Sequence, residues 1–253
     1  PGATGKPHCR SLIARLKVLQ VGDSHRGVPM PRKRSQPRPA AARLPRLPRL
    51  RGAARNLLIR ALRRRQTTRA FSDRKLSAEM LSELLWAAFG VNRARGPFGD
   101  VGRTAASASN SQEIDVYAAL ADGTYRYDAR QHSLELVASG DLRALAISRG
   151  QSRTDPGVHA PVRLIYVADL ERLVHTRGFR EPGLRDPEVQ RAYYYVDTGL
   201  IAANVYLFAA ATGLAAWFHN CDRARLAARL PLREGQRVLF AQTVGYPRRR
   251  PRR

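Results

Sequence analysis

Between Thr198 and Phe218 the chain runs for 21 residues without a charged side chain, and this run limits what the rest of the molecule can be. A membrane-spanning helix needs roughly 20 predominantly apolar residues, so length alone permits a span. The detail argues against one. Asn204 and Thr212 interrupt the run, Gly213 is placed to close a helix, and Leu214 to Phe218 reads as a strand. The run is therefore expected to be a central buried helix followed by a sheet element, with no membrane partner. Such a helix needs a core around it, and 253 residues of which 43% are apolar are enough to build one.

The formal net charge of +25 is not spread over the molecule. Residues 1–65 hold 18 basic and one acidic side chain, and residues 248–253 hold five basic and none acidic, which leaves the interval between them at +3. A strongly basic chain ordinarily implies nucleic acid or an anionic surface. Here the body is near neutral, no aromatic residues interleave with the N-terminal arginines, and no nucleic-acid reading motif occurs. Any nucleic-acid contact is expected to be non-specific and to fade as salt rises. Cys9 and Cys221 are too far apart in sequence to suggest a zinc cluster or a disulfide framework, and the six histidines are scattered, so no metal site is expected.

Residues 1–55 mix Pro, Arg, Ala and Gly, include the near repeat Leu44-Pro45-Arg46-Leu47-Pro48-Arg49-Leu50, and show no sustained period. They are expected to be a disordered segment. Because the chain opens on Pro1, mis-started sequence is expected there, with Met30 a candidate start. The segment lacks an apolar run suited to a secretory signal, which points to the cytoplasm. From Asn56 the pattern changes. Ser77 is placed to cap an amphipathic helix carrying Met80, Leu81, Leu84, Leu85 and Ala88, with Gly90 at its end. Alternation over Ile114 to Leu120, Thr124 to Tyr127 and Ser133 to Val137, with turn residues between, predicts an antiparallel meander. Val162 to Val167 reads as a buried strand, Asp222 to Leu230 as a helix and Arg237 to Val244 as a strand. Strands that do not alternate regularly with helices favour an α+β class, with a folded domain over residues 56–247 and a basic tail over 248–253.

Several chemistries lack support. There is no dinucleotide-binding glycine fingerprint and no Walker loop, the glycines between Gly96 and Gly102 do not sit between a strand and a helix, and no nucleophile elbow occurs. What remains is Arg65-Gln66-Thr67-Thr68-Arg69-Ala70-Phe71, where guanidinium forks and hydroxyls alternate just after a helix, a composition suited to phosphate. A solvated charged turn has the same composition.

Three ordered segments resemble the nitroreductase family, especially its SagB/ThcOx-type FMN-dependent dehydrogenase branch, over about residues 57–247. The first is Arg65 to Phe71 with the following helix. The second is Gly102-Arg103-Thr104-Ala105-Ala106-Ser107-Ala108-Ser109-Asn110-Ser111-Gln112-Glu113, similar to the family's flavin segment with Ala106 in place of Pro. The third runs from Val196-Asp197-Thr198-Gly199 through Gly213-Leu214 to Val244-Gly245-Tyr246-Pro247.

This resemblance implies a nitroreductase-like α+β fold, a central mostly antiparallel sheet flanked by helices, in a homodimer that completes each site from both subunits. It implies FMN as cofactor, hydride transfer through flavin N5, and NADH or NADPH as an electron donor. Arg65 and Thr67 would hold the phosphate, Arg69 would lie near the pyrimidine edge, and Ser107, Asn110 and Gln112 would line the cofactor. Gln66 stands where a second Arg is common, and Arg250 and Arg252 stand where relatives return a basic residue to the phosphate. No catalytic side chain is assigned. Tyr193, Tyr194 and Tyr195 are expected in core and interface packing. Substrates of two kinds remain open, a nitroaromatic or quinone and an azoline ring in a modified peptide. The alternatives are a degenerate flavin fold acting as a binding module, and non-specific nucleic-acid binding by the basic N-terminal segment.

Overall fold

A computed structural model describes residues 56–152, 160–180 and 185–248. The expected disordered segment over residues 1–55, together with Arg250, Arg252 and the tail beyond Arg248, lies outside the described residues.

A six-stranded sheet organises the domain. Its strands are β3 (Ile114–Ala119), β4 (Gly123–Asp128), β5 (Ser133–Ser139), β6 (Val162–Asp169), β7 (Ala215–His219) and β8 (Gln236–Gly245), in the order β5-β4-β3-β6-β8-β7. Every neighbouring pair is antiparallel, which bears out the α+β expectation and the predicted meander. Strand β6 sits in the interior, buried along its whole length. Alternation then sorts its side chains, because successive residues of a strand point to opposite faces. Leu164, Tyr166 and Ala168 meet one core layer with Ile114, Val116 and Ala118 of β3, whereas Ile165 and Val167 meet the other with Tyr117 and Ala119.

The first layer is covered by α2 (Ala78–Phe89) and α5 (Pro187–Thr212), the second by α6 (Arg223–Ala227) and by Leu142, Leu145 and Ala146. Ser77 caps α2 as its sequence position predicts, accepting the Met80 amide at 3.2 Å. Gly90 ends α2 differently from a left-handed cap: its backbone is extended, and a Cβ there would lie 2.4 Å from the Trp86 ring. Helix α6 stops earlier than expected, at Ala227, and the chain reaches Leu230 through turns. Pro231 follows immediately and disfavours a helical Leu230. The short pairing of β1 (Val91–Arg93) with β2 (Gly102–Arg103), which holds the glycine-bearing loop between them, has too few residues to show a period in sequence.

The uncharged run divides as its sequence predicts, into helix up to Thr212, a turn at Gly213 and strand β7. Among the described residues no helix is long and apolar enough to cross a membrane. Burial of α5 is one-sided, however. Tyr194, Thr198, Ile201, Ala202, Val205 and Ala209 face the core, while Val196 is 58% and Leu200 42% exposed on the opposite face. The helix is pinned to the sheet by a buried chain of hydrogen bonds, with Tyr166 donating to Gln242 Oε1 at 2.5 Å and Gln242 Nε2 donating to the Ala202 carbonyl at 3.2 Å.

Gly213 adopts φ 81° with no atom near its would-be Cβ, so its role is purely conformational. Gly213→Ala is expected to cost about 1 kcal/mol and to lower the melting temperature by roughly 2–4 °C in a thermal scan.

Candidate functional site

Helix α1 (Leu57–Arg64) begins at Asn56, whose side chain accepts the Ile59 amide, and delivers a run of arginines at its end. Beyond Arg65 the chain leaves the helix and follows the sheet edge. Thr68 N donates to the Ala216 carbonyl of β7 at 3.0 Å, Phe71 bridges to Pro247, and Ser72 N donates to the Tyr246 carbonyl. The Arg-rich segment is thereby fixed against β7, the last strand of the sheet.

Tyr206 of α5 ties this segment down. Its hydroxyl accepts the Phe218 amide at 2.9 Å and lies 3.2 Å from Thr67 Oγ1. Either hydroxyl can donate in that contact; with Tyr206 as donor, the threonine hydrogen is available to a ligand. The Arg65 guanidinium stands 5.5 Å from the Tyr206 ring centroid, and that of Arg69 stands 5.3 Å from the Trp217 ring. Neither Arg65 nor Arg69 has a carboxylate partner among the described residues. A cavity of about 480 Å³ opens here, bounded by Arg63, Arg64, Arg65, Gln66, Tyr206 and Pro247 among others, with no acidic residue in its lining.

A second cluster forms on the other sequence-predicted segment. Ser107 Oγ accepts the Gln112 amide at 3.0 Å, and Asn110 Nδ2 donates to the carbonyls of Pro97 and Val101. The Gln112 carboxamide is fully engaged: Oε1 accepts Arg103 Nε at 2.6 Å, while Nε2 donates to Val101 O and Asn110 Oδ1. Ser109, Asn110 and Gln112 have φ of 49°, 57° and 51°, in the left-handed region that costs about 1–2 kcal/mol for residues other than glycine. The loop is held in that shape partly by Asp197 of α5, which accepts the Ala108 amide at 2.8 Å.

Within one chain the two clusters do not meet. One gathers on Tyr206 and the other on Asp197, which stand nine positions apart on the helix, about 13 Å along its axis. Of the residues nominated from sequence, Arg65, Gln66, Thr67 and Arg69 share the first cluster and Ser107, Asn110 and Gln112 the second. His219 is buried, its Nε2 2.8 Å from Thr243 Oγ1, whereas Asn220 is exposed. Tyr194 is buried, Tyr193 packs against Phe179 and Tyr195 is 39% exposed. Sequence reasoning missed Tyr206 and Trp217. Both lie in the uncharged run, where the available clue was a polar hydroxyl inside an apolar helix.

A family model described as the Nitroreductase family matches residues 62–246. The chain belongs to the nitroreductase family. A Ralstonia eutropha protein of known crystal structure, named as a nitroreductase, is 33% identical with a TM-score of 0.63, covering 76% of this chain and 84% of that one. A Methanocaldococcus jannaschii protein, likewise named as a nitroreductase, is 29% identical over 158 residues, 60% of this chain and 72% of its own. A chain of the Escherichia coli microcin synthetase complex McbBCD, solved with truncated pro-MccB17 bound, shares the fold at a TM-score of 0.59 and 19% identity, over 86% of this chain and 79% of that one. The activity class that accompanies nitroreductase membership is a nitroreductase-like oxidoreductase.

Tyr206→Phe removes the acceptor of the part-buried Phe218 amide. It is expected to destabilise the domain by about 1–2 kcal/mol, read as a lowered midpoint in urea unfolding with an unchanged slope.

Proposed function

We propose that the chain binds FMN and passes hydride equivalents between it and a small organic substrate. The observation that carries this reading is the acid-free cavity beside Tyr206, lined by Arg63, Arg64 and Arg65. A phosphate dianion needs cationic and hydroxyl donors; the cavity lining supplies three arginines and Thr68, and Thr67 is the adjacent hydroxyl. Arg65 and the Thr67 hydroxyl would hold the phosphate, with Gln66 supplying a neutral amide. Arg69, laid over Trp217, would bring positive charge toward the pyrimidine edge. When bound, FMN supplies reversible two-electron chemistry that no side chain of this protein offers. The protein's part is to orient, to exclude water and to set the local charge.

Ser107 and Asn110 would meet the cofactor from a second subunit, because one chain keeps them apart from the arginines. The exposed face of α5 favours this arrangement. Val196, Leu200 and Ala203 form an apolar stripe there at helical spacing, and the neighbouring α1 exposes Leu57, Leu58 and Leu62 at 71%, 56% and 51%. Exposed apolar side chains on two helices packed together fit an interface, and a second copy of the chain is its natural occupant. Leu200→Asp is expected to convert a dimer into a monomer in size-exclusion chromatography and to reduce bound flavin with it. A monomeric wild-type chain that retains flavin would overturn the two-subunit site.

Two substrate readings sit within this class. An NAD(P)H-dependent reductase of nitroaromatics or quinones is the first. A dehydrogenase of azoline rings in a modified peptide is the second, supported by the resemblance of the three ordered sequence segments to the SagB/ThcOx-type branch. The deciding measurement is the visible absorbance of FMN-reconstituted protein, taken anaerobically before and after adding NADH or NADPH. Flavin bands that bleach are expected for the reductase. Bands that persist until an azoline peptide is added belong to the dehydrogenase, and a folded protein that takes up no flavin would overturn the cofactor assignment in favour of a degenerate binding module.

A further inference from the structure

Glu113 is an ionisable side chain for which flavin binding supplies no role. It is fully buried, its Oε2 accepts from Ser111 Oγ at 2.6 Å, and its Oε1 has no hydrogen-bond partner among the described residues. Asp197 faces it from α5, itself 3% exposed and accepting the Ala108 amide. Two carboxyl groups brought together out of water do not both ionise. The cations on the neighbouring elements are already committed. Arg103 of β2 is held by Gln112 Oε1, and Arg172, on helix α4 (Leu170–Val174), is held by the Gln112 carbonyl, Asp115 and Asp169. Asp169 N donates to the Glu113 carbonyl, so the nearby strand end contributes backbone rather than a countercharge.

We infer that Glu113 and Asp197 hold one proton between them and act as a clasp that fixes the loop Ser107–Gln112 against α5, which makes both of them positioning residues for the cofactor. The cofactor half of this statement rests on the FMN reading above; the clasp does not. An unpartnered buried carboxyl oxygen beside a second carboxylate requires a proton, and the strained backbone at Ser109, Asn110 and Gln112 requires something to hold it. Asp197 meets the loop at Ala108 and Glu113 meets it at Ser111, so the pair grips both ends of the strained turn. Losing the shared proton would place two negative charges beneath that turn.

Burial, and then the Asp197 charge, push the Glu113 carboxyl up to about 8 from its ordinary 4.5, and burial raises Asp197 as well. A group that keeps its proton longer in the closed state than in the open state makes closure weaken as pH rises. The clasp is therefore strongest near pH 4.5, declines up to about 8, and is level above that.

The test is amide hydrogen exchange of Ala108 in the full chain, expressed as a protection factor relative to the unstructured-chain exchange rate at each pH, across about pH 6 to 9. Wild-type protection is expected to fall at least about tenfold over that range. Glu113→Gln, which imitates the protonated acid, is expected to give a flat profile. Asp197→Asn can offer Nδ2 to Glu113 Oε1, so it moves the fall to lower pH and serves as the check if Glu113→Gln folds poorly. Identical profiles for wild type and both variants would overturn the clasp. FMN titrations on the same samples separate the two ideas: failure to bind FMN at any pH with the expected exchange profile sinks only the cofactor reading, while tight binding with unaltered profiles sinks only the clasp.

Discussion

Strand β7 is the edge of the sheet, and the outward backbone groups of an edge strand need partners. Two are supplied from opposite directions: Thr68 gives its amide to the Ala216 carbonyl, and Tyr206 gives its hydroxyl oxygen to the Phe218 amide. The first contact draws the Arg-rich segment along the strand, and the second draws α5 over it. The cavity with three arginines and no acid lies where those elements converge. Closing the sheet edge and building the cationic site are thus one structural event. A change that loosened the edge would disperse the arginines, though none of them belongs to the sheet.

The sheet was legible in the sequence because its strands carry strong alternation. Ile114 to Val116 and Ser133 to Leu136 alternate, with short turns bounding the strands, and Ser77 and Gly213 carry residue types that end helices for local reasons. Other features depend on contacts that no local pattern encodes. Gly90 is required by the Trp86 ring packed over it, and α6 is cut short by Pro231 rather than by any change in its own periodicity. The pairing of β1 with β2 involves so few residues that tertiary contacts decide it.

The candidate site was legible in part, and for a physical reason. Arg65, Thr67 and Arg69 announce themselves through charge and hydroxyl chemistry, as do Ser107 and Asn110 through small polar types in an ordered segment. Their supports do not. Tyr206 and Trp217 look like core residues within an uncharged run, and Glu113 looks like the ordinary end of a loop. Their importance comes from what the fold places beside them, which is information about distance in space. The one-sided burial of α5 escaped the sequence for a related reason: a helix with two apolar faces has little amphipathic contrast, and reads as buried all round.

Asp197 and Tyr206 stand nine residues apart on α5, two and a half turns, so they project from opposite margins of its buried face. One grips the loop that carries Ser107 and Asn110, and the other grips the segment that carries Thr67. The helix between them is composed of residues that tolerate exchange for one another, with Ala, Leu, Ile and Val in plenty. Its count of residues is another matter. A single insertion between these two anchors would turn one of them by 100° relative to the other and slide it by 1.5 Å, misaligning both grips at once. This stretch is therefore permissive in spelling and intolerant in length, and drift within it should proceed by substitution while its spacing stays fixed.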